Sequence, residues 1–293
     1  MHAQSLSKLD YIPISALPDE DGVPMENFLH RFQQNLLLES LTYHWRDRQD
    51  YFAGANMFVY FSYEQAEEVI NGEQKAYRGP DFFVVLDTTY QPPRTKWVVW
   101  AEGGRYPDVI VEILSPSTEQ VDRVEKMKLY ERVFQTSEYF LIDFEGKTLE
   151  GYELHLKRYR AKEPNPQGWL WSAQLGLWLG LWEGVYQGYQ ARWFRFYTEG
   201  GELVLTRAEA EQEAREQAER QAELERQRAE AERQRAEAES QRAESERQRA
   251  EAERQRAEAE RIAREQAEQL AQQAEAELQR LRALLAQREP PEE

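Results

Sequence analysis

The sequence predicts an α/β domain over residues 23–206 followed by a single long helix, and three observations carry that reading. Short runs rich in β-branched and aromatic residues alternate with stretches of helical periodicity up to about residue 206. One run, VIVEILSPST at 109–118, is almost continuously apolar, as a strand covered on both faces must be. Composition then changes abruptly: every Lys and Asp lies before residue 163, aromatics end before residue 198, and from Arg207 the chain is almost only Ala, Glu, Arg and Gln. The expected organisation is an N-terminal extension (1–22), the α/β domain (23–206), a charged helix (207–287) and a disordered C-terminus (288–293).

Residues 26–45 place Leu29, Phe32, Leu36, Leu37 and Leu41 at the spacing of an amphipathic helix. YFAGANMFVYFS (51–62) reads as one strand, and a polar stretch follows. In RGPDFFVVLDTTY (78–90) a Gly-Pro pair punctuates the start of the next strand. Residues 94–115 read as a strand, a Gly-Gly turn and the apolar central strand. From 115 to 135 the period becomes helical: Ser117 with Gln120 forms a capping box, and Val121, Val124, Met127, Tyr130 and Phe134 recur at helical spacing. EYFLIDF (138–144) is a buried-type strand, and Glu145-Gly146 turns it into an alternating edge strand over 149–160. After a Pro-rich loop and a Trp-rich segment, YQARWFRFYTEGGELVLT reads as a hairpin with Gly200-Gly201 at its tip.

The tail repeats ERQRAEA with a seven-residue period and has no Gly or Pro before Pro290. At about 1.5 Å per residue it would be a rod on the order of 120 Å long. Its seam of Ala and Gln (Ala231, Gln234, Ala238, Gln241) offers little apolar area, while Glu–Arg pairs at i,i+3 and Arg–Glu pairs at i,i+4 recur along it. Better knobs appear at the end, at Leu270, Leu278, Leu281 and Leu285. Two readings stay open: a solvated spacer, and weak pairing into a homo-oligomer through the C-terminal part.

Composition excludes several functions. With no cysteine there is no disulfide framework, thiol nucleophile or thiolate metal site. Four histidines (His2, His30, His44, His155) are scattered without ligand spacing, which disfavours a zinc site. No signal peptide is evident, and the greasiest segment (169–182) is too short and Gly-broken to span a bilayer, so a cytoplasmic protein with no membrane partner is expected. A net charge of −17 argues against loose affinity for nucleic acid, although Arg123, Lys126, Lys128 and Arg132 give one helix a local basic face.

Strand alternation puts Ile110, Glu112 and Leu114 on one face of the central strand and Val109, Val111 and Ile113 on the other. A carboxylate flanked on its own face by Ile and Leu needs a cation, a donor or a shifted pKa. Asp81 heads a neighbouring candidate strand, and Asp122, Lys126, Tyr130 and Phe134 form a stripe spaced by four on the following helix. Taken singly, Asp81 is an ordinary turn residue and Asp122–Lys126 a surface ion pair. If the stripe faces the sheet, Lys126 reaches Glu112, and two carboxylates with a Lys suit metal-assisted phosphodiester hydrolysis.

The residues that carry this pattern, GPDFFVV (79–85), YPDVIVEILSPST (106–118), D-x₃-K-x₃-Y (Asp122, Lys126, Tyr130) and SEYFLID (137–143), resemble the Uma-two family of restriction endonucleases in the PD-(D/E)XK nuclease superfamily. The resemblance covers roughly residues 20–200. It implies a restriction-endonuclease-like core, a central mixed β-sheet flanked by helices, and an Mg²⁺ (or Mn²⁺) dependent endonuclease acting on DNA. It further implies that Asp81 and Glu112 bind the metal, that Lys126 from the following helix replaces the usual Lys two residues after Glu112 (here Leu114), and that Asp122 orients Lys126. Tyr130 supports the site, and Asp108 is an alternate ligand. Where the family has a Gly after this helix, the chain has VFQTSEYF. The competing expectation is a nuclease-like core that no longer cleaves and spaces or recruits partners through its long helix.

Overall fold

The computed structural model describes residues 12–18, 28–73, 79–89, 94–143 and 145–286. Of the expected N-terminal extension only 12–18 falls within these, as a 3₁₀ turn at Ile14–Ala16, and the expected disordered end at 288–293 lies outside them. The chain divides into two compact units, Met1–Ala214 and Arg215–Glu293.

The first unit is built on a mixed six-stranded sheet. In chain order its elements are α1 (Phe28–His44), β1 (Tyr51–Ala55), β2 (Val59–Tyr60), α2 (Tyr63–Ile70), β3 (Phe82–Leu86), β4 (Trp97–Val98), β5 (Val109–Leu114), the helical segment α3 (residues 119–134), β6 (Glu138–Asp143), β7 (Leu149–His155), β8 (Arg158–Ala161), β9 (Leu170–Ser172), β10 (Leu177–Tyr186) and β11 (Tyr189–Tyr197). The central sheet runs β1-β3-β5-β6-β7-β8, and β5 and β6 are its parallel pair, joined by α3. This is the α/β architecture that the sequence predicts, with β5 central and buried along its whole length.

Each face of the sheet has its own cover. Val109, Val111 and Ile113 pack with Phe82, Phe140 and Ile142 against Leu37 and Leu41 of α1 and against Leu177, Leu179, Phe194 and Phe196 of the β11-β10-β9 sheet. Ile110 and Leu114 face the other way, toward Tyr130 and Phe134 of α3 and Trp97 of β4. Burial of each such side chain is worth about 1.5–3 kcal/mol. Gln33 fastens α1 to the smaller sheet: its side chain donates to Phe194 O (2.8 Å) and accepts from Phe194 N–H (2.9 Å).

Several boundaries differ from the expectation. The single strand over 51–62 is two, because Asn56 takes a left-handed φ of 47° and sends Val59–Tyr60 into a separate parallel pair with β4. The polar stretch after it contains α2, capped by Ser62, whose hydroxyl accepts from Gln65 N–H. The edge strand over 149–160 is a hairpin that turns on Leu156 and Lys157, both at positive φ. β11 pairs along its length with β10, and beyond the Gly200-Gly201 turn only one bridge, Tyr197–Leu203, returns.

The turn that leads into the helix after β5 closes on Ser115 and not on Ser117: the amides of Thr118 and Glu119 both donate to Ser115 O. The helix is wound wider than an α-helix over Val121–Lys126 and Tyr130–Phe134, with Met127 N–H reaching Asp122 O and Gln135 N–H reaching Tyr130 O, both i→i−5. Its inner face follows the residues spaced by four, because at about 100° per residue Val121 lies about 180° round the helix from Tyr130. Val121 and Val124, expected inside, are exposed, while Asp122, Tyr130 and Phe134 are buried. Where a Gly would be the low-cost terminator, Gln135 ends the helix in the left-handed region at φ 52°.

α4 spans Arg207–Ala286. Its start is tied within the first unit: Thr206 and Glu209 form a capping box, and Glu209 accepts two hydrogen bonds of 2.6 Å from the fully buried Arg195. In the second unit all described side chains are exposed, Leu270, Leu278 and Leu281 among them; that of Leu285 lies outside the described residues. No helix among the described residues is long and apolar enough to cross a membrane.

Candidate functional site

The antiparallel register of β3 on β5 pairs Phe82 with Val111, so the residue before Phe82 falls beside the residue after Val111. Asp81 and Glu112 thereby become neighbours, with the Asp81 amide nitrogen 3.4 Å from Glu112 Oε2. Glu112 is fully buried on the face that α3 covers. The stripe spaced by four then meets it. Lys126 Nζ lies 2.9 Å from Glu112 Oε2 and 2.8 Å from Asp122 Oδ1, and Tyr130 donates its hydroxyl to Glu112 Oε1 at 2.7 Å. Asp122 is itself buried, and its carbonyl accepts from Tyr139 OH at 3.0 Å.

Electrostatics follow from three carboxylates around one ammonium. Burial pushes the Glu112 carboxyl well above the usual range; the Lys126 ammonium opposes this, and the charges of Asp81 and Asp122 add to it. Burial alone would lower the Lys126 pKa, but Glu112, Asp122 and Asp81 raise it above the ordinary lysine value. Lys126 is therefore a fixed cation and not a base. Burial also works to raise Asp81, yet the hydrogen bond and charge of His30 outweigh it and hold that carboxyl below its ordinary value.

His30 and Gln34 of α1 are the residues that sequence reasoning missed. Asp81 Oδ1 lies 2.7 Å from His30 Nε2 and accepts from Gln34 Nε2 at 2.8 Å, while Oδ2 accepts the Ile113 amide at 2.7 Å. A search for metal-ligand spacing passes over a histidine whose partner is a carboxylate 51 residues away. The available signal was polar residues, Gln33 and Gln34, on the face of α1 that the apolar spacing turns inward.

Asp108 is not brought to this group. It precedes β5, at the end of the strand opposite Glu112, and its Oδ2 accepts the Leu86 amide at 2.7 Å. The basic face expected on α3 is also largely committed. Lys126 points inward, and Arg123 is paired with Glu119 (2.8 Å) and Glu150 (2.7 Å).

The family model described as "Uma2: Putative restriction endonuclease" matches residues 21–186, more than half of the chain. A solved structure described as a putative nuclease belonging to DUF820 from Anabaena variabilis ATCC 29413 is 16% identical. That likeness covers 52% of this chain and 76% of that one, with a TM-score of 0.37. No curated protein matches the chain.

Proposed function

The chain belongs to the Uma2 family, and from that premise we propose that it is a divalent-metal-dependent endonuclease that hydrolyses DNA phosphodiester bonds. The observation that carries the reading is the convergence of Asp81, Glu112 and Lys126 from two strands and a helix. Asp81 and Glu112 are the residues that would hold the metal. Among the described residues no three His, Asp or Glu side chains form a ready cage. Mg²⁺ needs none: it binds through one or two carboxylates and keeps several waters. The surplus of buried negative charge that raises Glu112 is what a bound cation would offset. When bound, the metal polarises the phosphate and lowers the pKa of a bound water.

The rest is the work of side chains. Lys126 donates one N–H to Glu112 and forms an ion pair with Asp122, which leaves donor capacity for the attacking water or a phosphate oxygen. Asp122 orients Lys126, and Tyr130 fixes the rotamer of Glu112 through Oε1. Supercoiled plasmid with Mg²⁺ or Mn²⁺, tested beside Glu112→Ala, decides the matter. Nicking or linearisation by the parent chain alone is expected; no cleavage under any condition, or equal cleavage by the variant, rejects it.

A second reading, a non-cleaving core that spaces partners through the exposed helix, draws on the net charge of −17 and on α4. In either case pairing of two copies near Leu270, Leu278 and Leu281 is proposed from their exposure. Sedimentation of the full chain against one ending at Ala214 tests this, and equal monomer masses exclude it.

A further inference from the structure

His30 and Gln34 stand one helical turn apart on α1, and both side chains end on one oxygen, Asp81 Oδ1 (2.7 and 2.8 Å). An ionised carboxylate only accepts, so the proton between His30 and Asp81 sits on Nε2. A carboxylate oxygen has about two lone-pair positions. Oδ1 is thus filled, and Oδ2, which accepts the Ile113 amide at 2.7 Å, retains one. The clamp is rigid for two reasons. Leu37 and Leu41 seat α1 in the core, and Gln33, next to Gln34, bonds both backbone groups of Phe194. Gln34 itself is 2% exposed, and so polar a buried group is costly unless its hydrogen bonds are met.

A carboxylate bridges two cations with one oxygen to each or with both lone pairs of one oxygen. Asp81 can do neither while α1 fills Oδ1 and the Ile113 amide takes one position on Oδ2. We propose that His30 and Gln34 are positioning residues that occupy Oδ1 of Asp81, so that Oδ2 alone meets a cation and the site takes a single divalent ion. This rests on the cation-dependent reading above, and it assigns the first helix of the domain a part in the site that the strand and helix motifs do not contain.

Calorimetric titration of the full chain with Mn²⁺ tests the assignment without reference to cleavage. The parent is expected to bind one Mn²⁺ per chain. His30→Ala and Gln34→Leu are each expected to bind on the order of 10- to 100-fold more weakly. His30→Gln, which keeps a side-chain donor, is expected to recover most of the affinity. Far-ultraviolet circular dichroism and melting confirm that each variant is folded. Two Mn²⁺ per parent chain would overturn the proposal, as would Ala and Leu variants within about twofold of the parent. If His30→Gln binds as poorly as His30→Ala, the imidazole is itself a cation contact, and the positioning role falls. Asp81→Asn separates the levels. If it abolishes binding while the α1 variants do not, the metal site stands and only the clamp fails; if the parent binds no Mn²⁺, both readings fail together.

Discussion

Lys126→Met removes the one ammonium that touches both Glu112 and Asp122 and keeps most of the stem volume. Its contact with Glu112, 2.9 Å, is a hydrogen bond between charged partners, worth about 1.5–3 kcal/mol, and its contact with Asp122, 2.8 Å, is an ion pair. Removing one member of a buried ion pair costs about 3–5 kcal/mol, because the remaining charges stay buried and unpaired. The Lys126 side chain keeps 20% exposure, which lets water reach the vacated position, so a loss of about 3 kcal/mol is expected. That is a large part of the 5–15 kcal/mol typical of a domain. Urea unfolding followed by tryptophan fluorescence measures it. Because the cost comes from stranded charge, Lys126→Met combined with Glu112→Gln should recover much of the loss while plasmid cleavage stays absent. A single variant that unfolds within about 1 kcal/mol of the parent, or a double variant less stable than the single one, would refute the buried-charge account.

Three further outcomes follow from the geometry. Asp108→Asn is expected to leave Mn²⁺ affinity and cleavage unchanged, since Asp108 caps the Leu86 amide far along β5 from Glu112; a loss of metal affinity would restore it as a ligand. A chain ended at Thr206 strands the fully buried Arg195 without Glu209, so it should melt below one ended at Ala214, and equal melting temperatures would reject that anchor. Burial pushes the Glu209 carboxyl up, but Arg195 and Thr206 hold it below its ordinary value of 4.5. The stability this contact adds is present above that value and is lost as pH falls through the depressed one. Glu209→Gln should therefore be less stable at neutral pH and converge on the parent in acid; a difference that grows as pH falls contradicts this.

The central strand was legible because its two faces obey simple alternation, and the faces read from 109–114 are those that pack. Lys126 was legible by spacing, since an i,i+4 stripe projects onto the chain as a fixed offset, whereas Asp81, 31 residues from Glu112, was assigned to the site through the resemblance. The α1 contribution was not, because nothing local to His30 or Gln34 records a partner on β3. Nor was the hairpin at Leu156-Lys157, where two residues without turn chemistry take positive φ between well-paired strands. The inner face of α3 was ambiguous for a physical reason. Steps of three at about 100° per residue accumulate, so Val121 and Val124, though linked to Tyr130 by apolar spacing, come to lie well round the helix from it, while the steps of four from Asp122 through Lys126 to Tyr130 stay together.

The wider coil of α3 makes residue number within 121–134 a quantity in its own right. Side chains on an α-helix advance by about 100° per residue. A substitution at an exposed position such as Val121, Val124 or Val133 leaves the count intact. Loss of one codon between Asp122 and Tyr130 changes which residues face β5 and swings an ammonium or a phenol away from Glu112. In a mutational survey of this segment, tolerance to replacement and intolerance to deletion should coexist at the same positions, so the spacing is a length standard that amino-acid identity alone does not record.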